Sequence, residues 1–274
     1  KQALSLAKKA MRQINIDSEK IELQIRAKSD KALQLVYLVS LKGFSKDHQP
    51  FWPHILIDAH TGMTLKQWNN IHTVSDTGPG GNEKTHEYWY GKDHLPSLEV
   101  NQKDEICTLE DEQVRLVNLH SSWDMEGLEK TAFTYLCQHN TEDWVNGAYS
   151  VGNDAYYFGH TILHLYQDWY GVNALQDKHG NPQQLIMRVH FGSNYDNAFW
   201  DGEHETMSFG DGYFLYPLVS LEIASHEVSH GFTQQHSNLE YYDQSGALNE
   251  AFSDMAGQAA RAYLLQTEPE LYNK

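Results

Sequence analysis

Apolar and polar residues alternate with two different periods along this chain, and the changes of period divide it into segments. Over residues 1–13, Ala3, Leu6, Ala7, Ala10 and Met11 fall on one helical stripe with lysines opposite, which predicts an amphipathic helix. Period-two alternation follows at Ile21, Leu23 and Ile25, and again at Leu35, Tyr37, Val39 and Leu41. Residues 53–58 and 63–68 flank the turn sequence Ala59-His60-Thr61-Gly62 and predict a hairpin. These segments make a small helix-plus-antiparallel-sheet unit ending near Asn70. Residues 72–82 carry no apolar pattern; their Thr, Ser, Asp and Gly78-Pro79-Gly80-Gly81 read as an open linker, the kind of segment a protease cuts. Cleavage is expected between Asn70 and Thr77, next to His72 or Thr73.

Beyond the linker the pattern is rich in strands at first. Residues 83–120 interleave aromatic and polar side chains and predict twisted antiparallel strands. A helix is predicted over 153–169 with Ala155, Phe158, Ile162, Leu165 and Trp169 as its buried stripe. Residues 185–201 return to strand. Two helices follow, one over 217–235 after the turn Gly210-Asp211-Gly212, the other carrying Glu250 and running to about 265. Strands first and helices after predict an α+β domain with a functional helix against a sheet.

Length and charge sharpen this division. A chain of 274 residues, 40% hydrophobic and 12% aromatic, can bury a sizeable core and suggests two domains, here 1–72 and 73–274. Residues 1–72 hold 11 Lys/Arg against 6 Asp/Glu, a net of +5, whereas 73–274 hold 9 against 31, a net of −22. Opposite signs favour association of the two modules. So acidic a surface excludes nucleic acid as a natural partner. No run of eighteen apolar residues occurs, so no membrane-spanning helix is expected. Lys1 is not an initiator Met, so removal of an N-terminal piece is expected. The two cysteines, Cys107 and Cys137, admit one bridge in a secreted protein or two free thiols in a cytosolic one.

The chemistry concentrates in His226-Glu227-Val228-Ser229-His230. Histidines four apart on a helix share one face and can hold a single zinc ion. A glutamate beside the first is placed to take a proton from metal-bound water. Glu250, twenty residues after His230 in the run 246–254, supplies a third ligand from a second helix and leaves the fourth position open for water or substrate.

Several stretches together resemble the thermolysin family of zinc endopeptidases, and most of all its pseudolysin-type branch: Gly78-Pro79-Gly80-Gly81-Asn82, Val145-Asn146-Gly147-Ala148-Tyr149, Asn197-Ala198-Phe199-Trp200-Asp201-Gly202, residues 226–230 and residues 245–254. Residues 1–72 resemble the PepSY-type part of that family's propeptide, which chaperones and inhibits the enzyme. The resemblance implies a secreted zymogen whose own propeptide binds the catalytic module, and a disulfide between Cys107 and Cys137. His226, His230 and Glu250 match the zinc ligands, and Glu227 the general base. Asn249 and Asp254 match partners that orient the two histidines, and Tyr241 matches a hydroxyl that steadies the oxyanion of the tetrahedral intermediate. Asn197 and Ala198 match edge-strand positions that hold an extended peptide. Leu215, Leu218 and Ile223 match the lining of an apolar pocket after the scissile bond, with Leu215 where the branch often has Phe.

Two departures from the family accompany these matches. The chain stops at Lys274, so the family's C-terminal helical domain is expected to be missing or supplied by another chain. The family's calcium site takes an acid four residues before the first zinc histidine, here Glu222, and acids on the Glu250 helix, where this chain has Gln258 and Arg261. Arginine cannot ligate a hard cation. Arg261 is therefore expected to form an internal ion pair with Glu222 in place of calcium. The expected activity is hydrolysis of peptides or proteins by zinc-activated water; the rivals are a non-catalytic zinc-binding or inhibitory scaffold and an aminopeptidase of the same active-site type.

Overall fold

The computed structural model describes residues 2–11, 14–27, 33–45, 50–69, 73–140, 144–237 and 239–274. Its internal contacts divide the chain into two compact units, Lys1–His72 and Thr73–Lys274. Asn70, Ile71 and His72, where cleavage was expected, lie outside the described residues.

The first unit runs α1 (Gln2–Ala10), β1 (Ile14–Ala27), β2 (Leu33–Ser45), β3 (Pro50–Phe51), β4 (Pro53–Asp58) and β5 (Thr64–Asn69). Its antiparallel sheet has the order β1-β2-β4-β5, with β3 on β2. Ala3 and Ala7 of α1, with Met11 just past its end, bury themselves against Val39, Leu41, Ile55 and Ile57, so the helix covers β2 and β4. Leu6, expected on the buried stripe, is 43% exposed. Ile21, Leu23 and Ile25 of β1 are exposed as well, because the nine-residue helix packs on the neighbouring strands. Alternation located this strand without showing which side of it would be covered.

The second unit is mixed α and β. It runs β6 (Thr73–Asp76), β7 (Gly78–Gly80), β8 (Tyr88–Tyr90), β9 (Leu98–Lys103), β10 (Ile106–Thr108), β11 (Val114–Asn118), β12 (Thr134–Leu136) and α2 (Val151–Leu165), which passes into a π-helical turn (Tyr166–Tyr170). It continues with β13 (Leu185–Val189), β14 (Ala198–Asp201), β15 (Thr206–Phe209), α3 (Leu221–His236), α4 (Asp243–Thr267) and α5 (Pro269–Tyr272). Two four-stranded sheets form, ordered β12-β10-β9-β6 and β11-β13-β15-β14, beside a β7–β8 ribbon. The strands of 83–120 are not all antiparallel: β11 and β13 are parallel, as are β13 and β15. Within the β11-β13-β15-β14 sheet, β14 runs antiparallel to β15, and it lies at the sheet's edge.

The supposed linker needs a larger correction. Residues 73–76 and 78–80 are strands: β6 pairs with β9 and β7 with β8. A Cβ at Gly78 would meet Asn153 Nδ2 at 2.5 Å, and one at Gly80 would meet Tyr88 at 2.5 Å and Asp154 at 2.6 Å. These glycines mark close approach rather than an open chain.

The main core lies where α2 and α3 cover one face of β11-β13-β15-β14, with Val151, Ala155, Ile162 and Leu165 of α2 and Ala224 and Val228 of α3 buried in it. Ser150 caps α2 by accepting the Asn153 amide at 3.2 Å. The helix expected over 153–169 becomes π-helical at Tyr166, which leaves Trp169 39% exposed. Val117, Leu119 and Phe191 form a smaller cluster, packed by Ile186, Tyr195 and Phe199. Cys107 and Cys137 are joined by a disulfide, next to the β10–β12 pairing.

One buried pair makes stability depend on pH. His160 Nδ1 lies 2.9 Å from the Tyr156 carbonyl, and Nε2 lies 2.8 Å from Asp111 Oδ2. Both neighbours are acceptors, so both ring nitrogens carry protons and the ring is an imidazolium. Burial pushes the His160 ring toward neutrality, but the Asp111 carboxylate outweighs it and holds the ring above the ordinary histidine value. Burial likewise pushes Asp111 up, yet His160 and the Val114 and Gln113 amides hold it below the usual carboxylate range. The raised histidine contributes stability that is full below pH ~6.5 and is lost as pH rises through its folded value. The lowered aspartate contributes above pH ~4 and is lost on acidification. His160→Phe is expected to cost about 3–5 kcal/mol at pH 6, because it leaves Asp111 buried without its cation. That loss should shrink steadily above neutrality, as urea unfolding over a pH series would show.

Candidate metal centre

The site is built where α3 passes beneath β14 and against α4. Ser220 starts α3 by accepting the Ile223 amide at 3.4 Å, so the helix begins at Leu221 and not at Pro217. His226 and His230 then stand one turn apart with their Nε2 atoms 3.1 Å from each other. Glu250 on α4 brings Oε2 to 3.1 Å from His226 Nε2 and Oε1 to 3.8 Å from His230 Nε2. All the donor atoms of this trio lie within 4.8 Å of one another.

The outer nitrogens decide the tautomers. His226 Nδ1 lies 2.9 Å from Asp254 Oδ1, and His230 Nδ1 lies 2.8 Å from Asn249 Oδ1. A carboxylate and an amide oxygen only accept, so each Nδ1 carries the hydrogen and each Nε2 turns a lone pair toward the centre. Three electron-rich atoms meeting without a donor among them repel unless a cation lies between them. Two imidazoles and a carboxylate suit zinc. Ser253, fully buried with Oγ 3.2 Å from His230 Nδ1, joins this support. It escaped the sequence reading, although its place one turn after Asn249 puts it on the same face of α4.

Glu227 is half-buried, and burial pushes its carboxyl up to about 7 against the pull of His226 and the Trp200 amide. Its Oε2 accepts that amide at 3.2 Å, which ties the acid to the edge strand. Gln234 makes a second tie. Its Oε1 accepts from Trp200 Nε1 at 3.0 Å, and its Nε2 donates to the Gly202 carbonyl at 2.8 Å. Gly231 lets the indole lie on the helix, since a Cβ there would come 2.7 Å from Trp200. Trp200, Gln234 and Gly231 were not singled out from sequence; only the spacing of Gln234, one turn past His230, marks it.

A cavity of about 650 Å³ opens over this centre, lined by Asn197, Ala198, Trp200, Glu227, Tyr241 and Glu250 among others. The Tyr241 ring stands 5.7 Å from that of His230, edge to face, and is 65% exposed. Leu215, Leu218 and Ile223 do not line this cavity. Leu218 is buried in the main core, Ile223 packs against it, and Leu215 is 52% exposed on the loop before α3. That loop is fixed by Asp196, whose Oδ1 accepts the Tyr213, Phe214 and Leu215 amides at 2.7, 3.0 and 3.0 Å, and by Asn146, whose Nδ2 donates to Leu215 O at 2.7 Å.

Where calcium was in question, Arg261 Nε lies 3.1 Å from Glu222 Oε1 and Nη2 lies 3.3 Å from the Tyr272 hydroxyl. The Glu222 carboxylate thus has a fixed cation beside it. The pair is not internal, however. With side chains 46% and 36% exposed it sits among half-solvated ion pairs, which contribute about 0–1 kcal/mol.

Two histidines and a glutamate around one point, with a second glutamate facing it from the ligand helix, are the donor set of a mononuclear zinc hydrolase. A family model described as "Thermolysin metallopeptidase, catalytic domain" matches residues 83–234, and one described as "Thermolysin metallopeptidase, alpha-helical domain" matches residues 237–273. The chain belongs to the thermolysin family of zinc metallopeptidases. It is 42% identical over 262 residues to the zinc metalloproteinase MspA of Legionella longbeachae, covering 91% of this chain and 49% of that protein. It is 43% identical over 256 residues to the hemagglutinin/proteinase of Vibrio cholerae, with 91% and 40% covered, and 42% identical over 278 residues to the neutral protease of Vibrio proteolyticus, with 96% and 43% covered. The chain thus spans less than half the length of these relatives. The second family match corrects one expectation: residues 237–273, with Glu250 among them, belong to the helical domain that was expected to be missing.

Proposed function

We propose that residues 73–274 carry the zinc site of a secreted endopeptidase, and that residues 1–72 are its pro-unit. The observation that carries this reading is the convergence of His226, His230 and Glu250, each histidine oriented by a partner on α4, beneath an edge strand. Zinc, when bound, supplies Lewis acidity to water and to the scissile carbonyl. Glu227 accepts the proton of the attacking water and returns it to the leaving amine; its contact with the Trp200 amide keeps it between helix and strand. The Tyr241 hydroxyl donates to the developing oxyanion. Asn197 and Ala198, at the start of the edge strand β14, hold an extended peptide by strand addition. Among the described residues, no helix is long and apolar enough to cross a membrane. The purified full-length protein should contain one zinc and hydrolyse casein; zinc-free protein of full activity would overturn the reading.

Maturation follows from the same proposal. β6 is the edge strand of its sheet and Asp76 within it is buried, so a cut beyond Thr73 would remove a paired strand. Cleavage beside His72 spares it. The net charges of +5 and −22 favour retention of the severed pro-unit. Intact-mass measurement of the matured protein should find an N-terminus close to Thr73, and a start beyond Asn82 would contradict this.

The Glu222–Arg261 pair predicts that calcium is dispensable at this position. Calcium is expected to leave the Tm of the zinc-loaded protein unchanged, whereas Arg261→Glu, which sets a second carboxylate beside Glu222, should create a calcium-dependent rise. Thermal scans with and without calcium decide it.

A further inference from the structure

The π-helical turn that closes α2 touches both ligand-bearing helices. Tyr166, its first residue, is buried and places its hydroxyl 2.7 Å from Ser229 Oγ. Ser229 spends its own hydrogen on the Ser225 carbonyl at 2.6 Å, so Tyr166 is the donor. Ser229 is fully buried and directly precedes His230. The Tyr166 ring also lies 4.8 Å from that of Phe232 on α3. Two residues later in the turn, Asp168 Oδ2 accepts the Tyr263 hydroxyl of α4 at 2.5 Å, and Trp169 meets the Tyr263 ring edge to face at 5.7 Å. The third side of the triangle is Ser225, which donates to the Ala256 carbonyl of α4 at 3.1 Å. Side-chain hydrogen bonds thus tie α3 to α4, α3 to the turn, and the turn to α4.

π-helical turns are rare and occur frequently at functional sites. Here the zinc ligands are divided between the helices, with His226 and His230 on α3 and Glu250 on α4. Site geometry must be held within about 0.5 Å. A rotation of α3 by ~10°, acting on ring nitrogens roughly 7 Å from its axis, moves them about 1 Å. We infer that the π-helical turn 166–170 is a bracket that positions the two ligand helices, with Tyr166 and Asp168 as positioning residues for the metal. The inference rests on the zinc reading of the site.

Zinc affinity of the full-length protein, measured by competition with a chromophoric chelator, tests it beside the Tm of the metal-free form. Tyr166→Phe keeps the ring against Phe232 and removes only the hydroxyl. It is expected to weaken zinc binding about tenfold, within the range for residues that support ligands, while lowering the metal-free Tm by no more than about 3 °C. Tyr135→Phe, which loses a comparable hydrogen bond to Asp76, serves as the control: a similar fall in Tm with zinc affinity unchanged. Should Tyr166→Phe fail to fold, Tyr263→Phe removes the hydroxyl that Asp168 accepts, cuts the α4 arm alone and gives the same decision. Wild-type zinc binding with affinity in the folded variant unchanged within twofold would overturn the bracket and leave the zinc reading standing. A wild-type protein that binds no zinc would overturn both.

Discussion

Glu227→Gln is expected to slow peptide hydrolysis by about a thousandfold or more while zinc content stays at the wild-type level. The amide keeps the shape of the carboxylate and still offers an oxygen to the Trp200 amide, 3.2 Å away, so helix and edge strand keep their spacing. It cannot accept a proton from water or return one to the leaving amine. The side chain is not among the three converging metal donors, so metal binding and proton transfer separate cleanly. Casein turnover and zinc analysis on the same preparation check this, and near wild-type turnover would assign the base to another residue.

Glu250→Gln should instead weaken zinc binding by more than a hundredfold and abolish activity through loss of the metal. The substitution takes away the only anionic donor of the trio and leaves two neutral imidazoles. Asp254→Asn, which still offers an oxygen to His226 Nδ1, is expected to weaken binding only about tenfold. This ordering separates ligand from support, and chelator competition on both variants measures it. An equal loss in the two would mean that Asp254, 77% exposed at its side chain, is itself a ligand.

What the sequence makes legible follows from how local the physics is. The two arms of the expected hairpin, 53–58 and 63–68, match β4 and β5 to within one residue, since the turn sequence between them is a local signal. The two histidines of the metal trio are legible because helix geometry places positions four apart on one face, whatever surrounds them. Features set by contact between distant segments stay hidden. Residues 73–80 look like a linker because glycine, proline and threonine have no apolar rhythm, yet Gly78 and Gly80 are small because Asn153, Tyr88 and Asp154 press on them. The parallel pairing of β11, β13 and β15 is settled by crossovers and not by any strand's own pattern. Leu218 shows the same limit within the site: it sits beside the helix that bears the ligands, but its side chain goes to the core. Trp200 and Gln234 lie 34 positions apart, and only the folded chain shows that they meet.

The fit of Trp200 against Gly231 bears on how this protein can change over generations. With 2.7 Å left for a Cβ, alanine at 231 would lift the indole and, with it, the strand whose amide reaches Glu227. A smaller residue at 200 would relieve that pressure but drop the Gln234 contact. Neither position can drift alone. Lineages that depart from this Gly–Trp combination should therefore carry compensating changes at both, inherited as a pair.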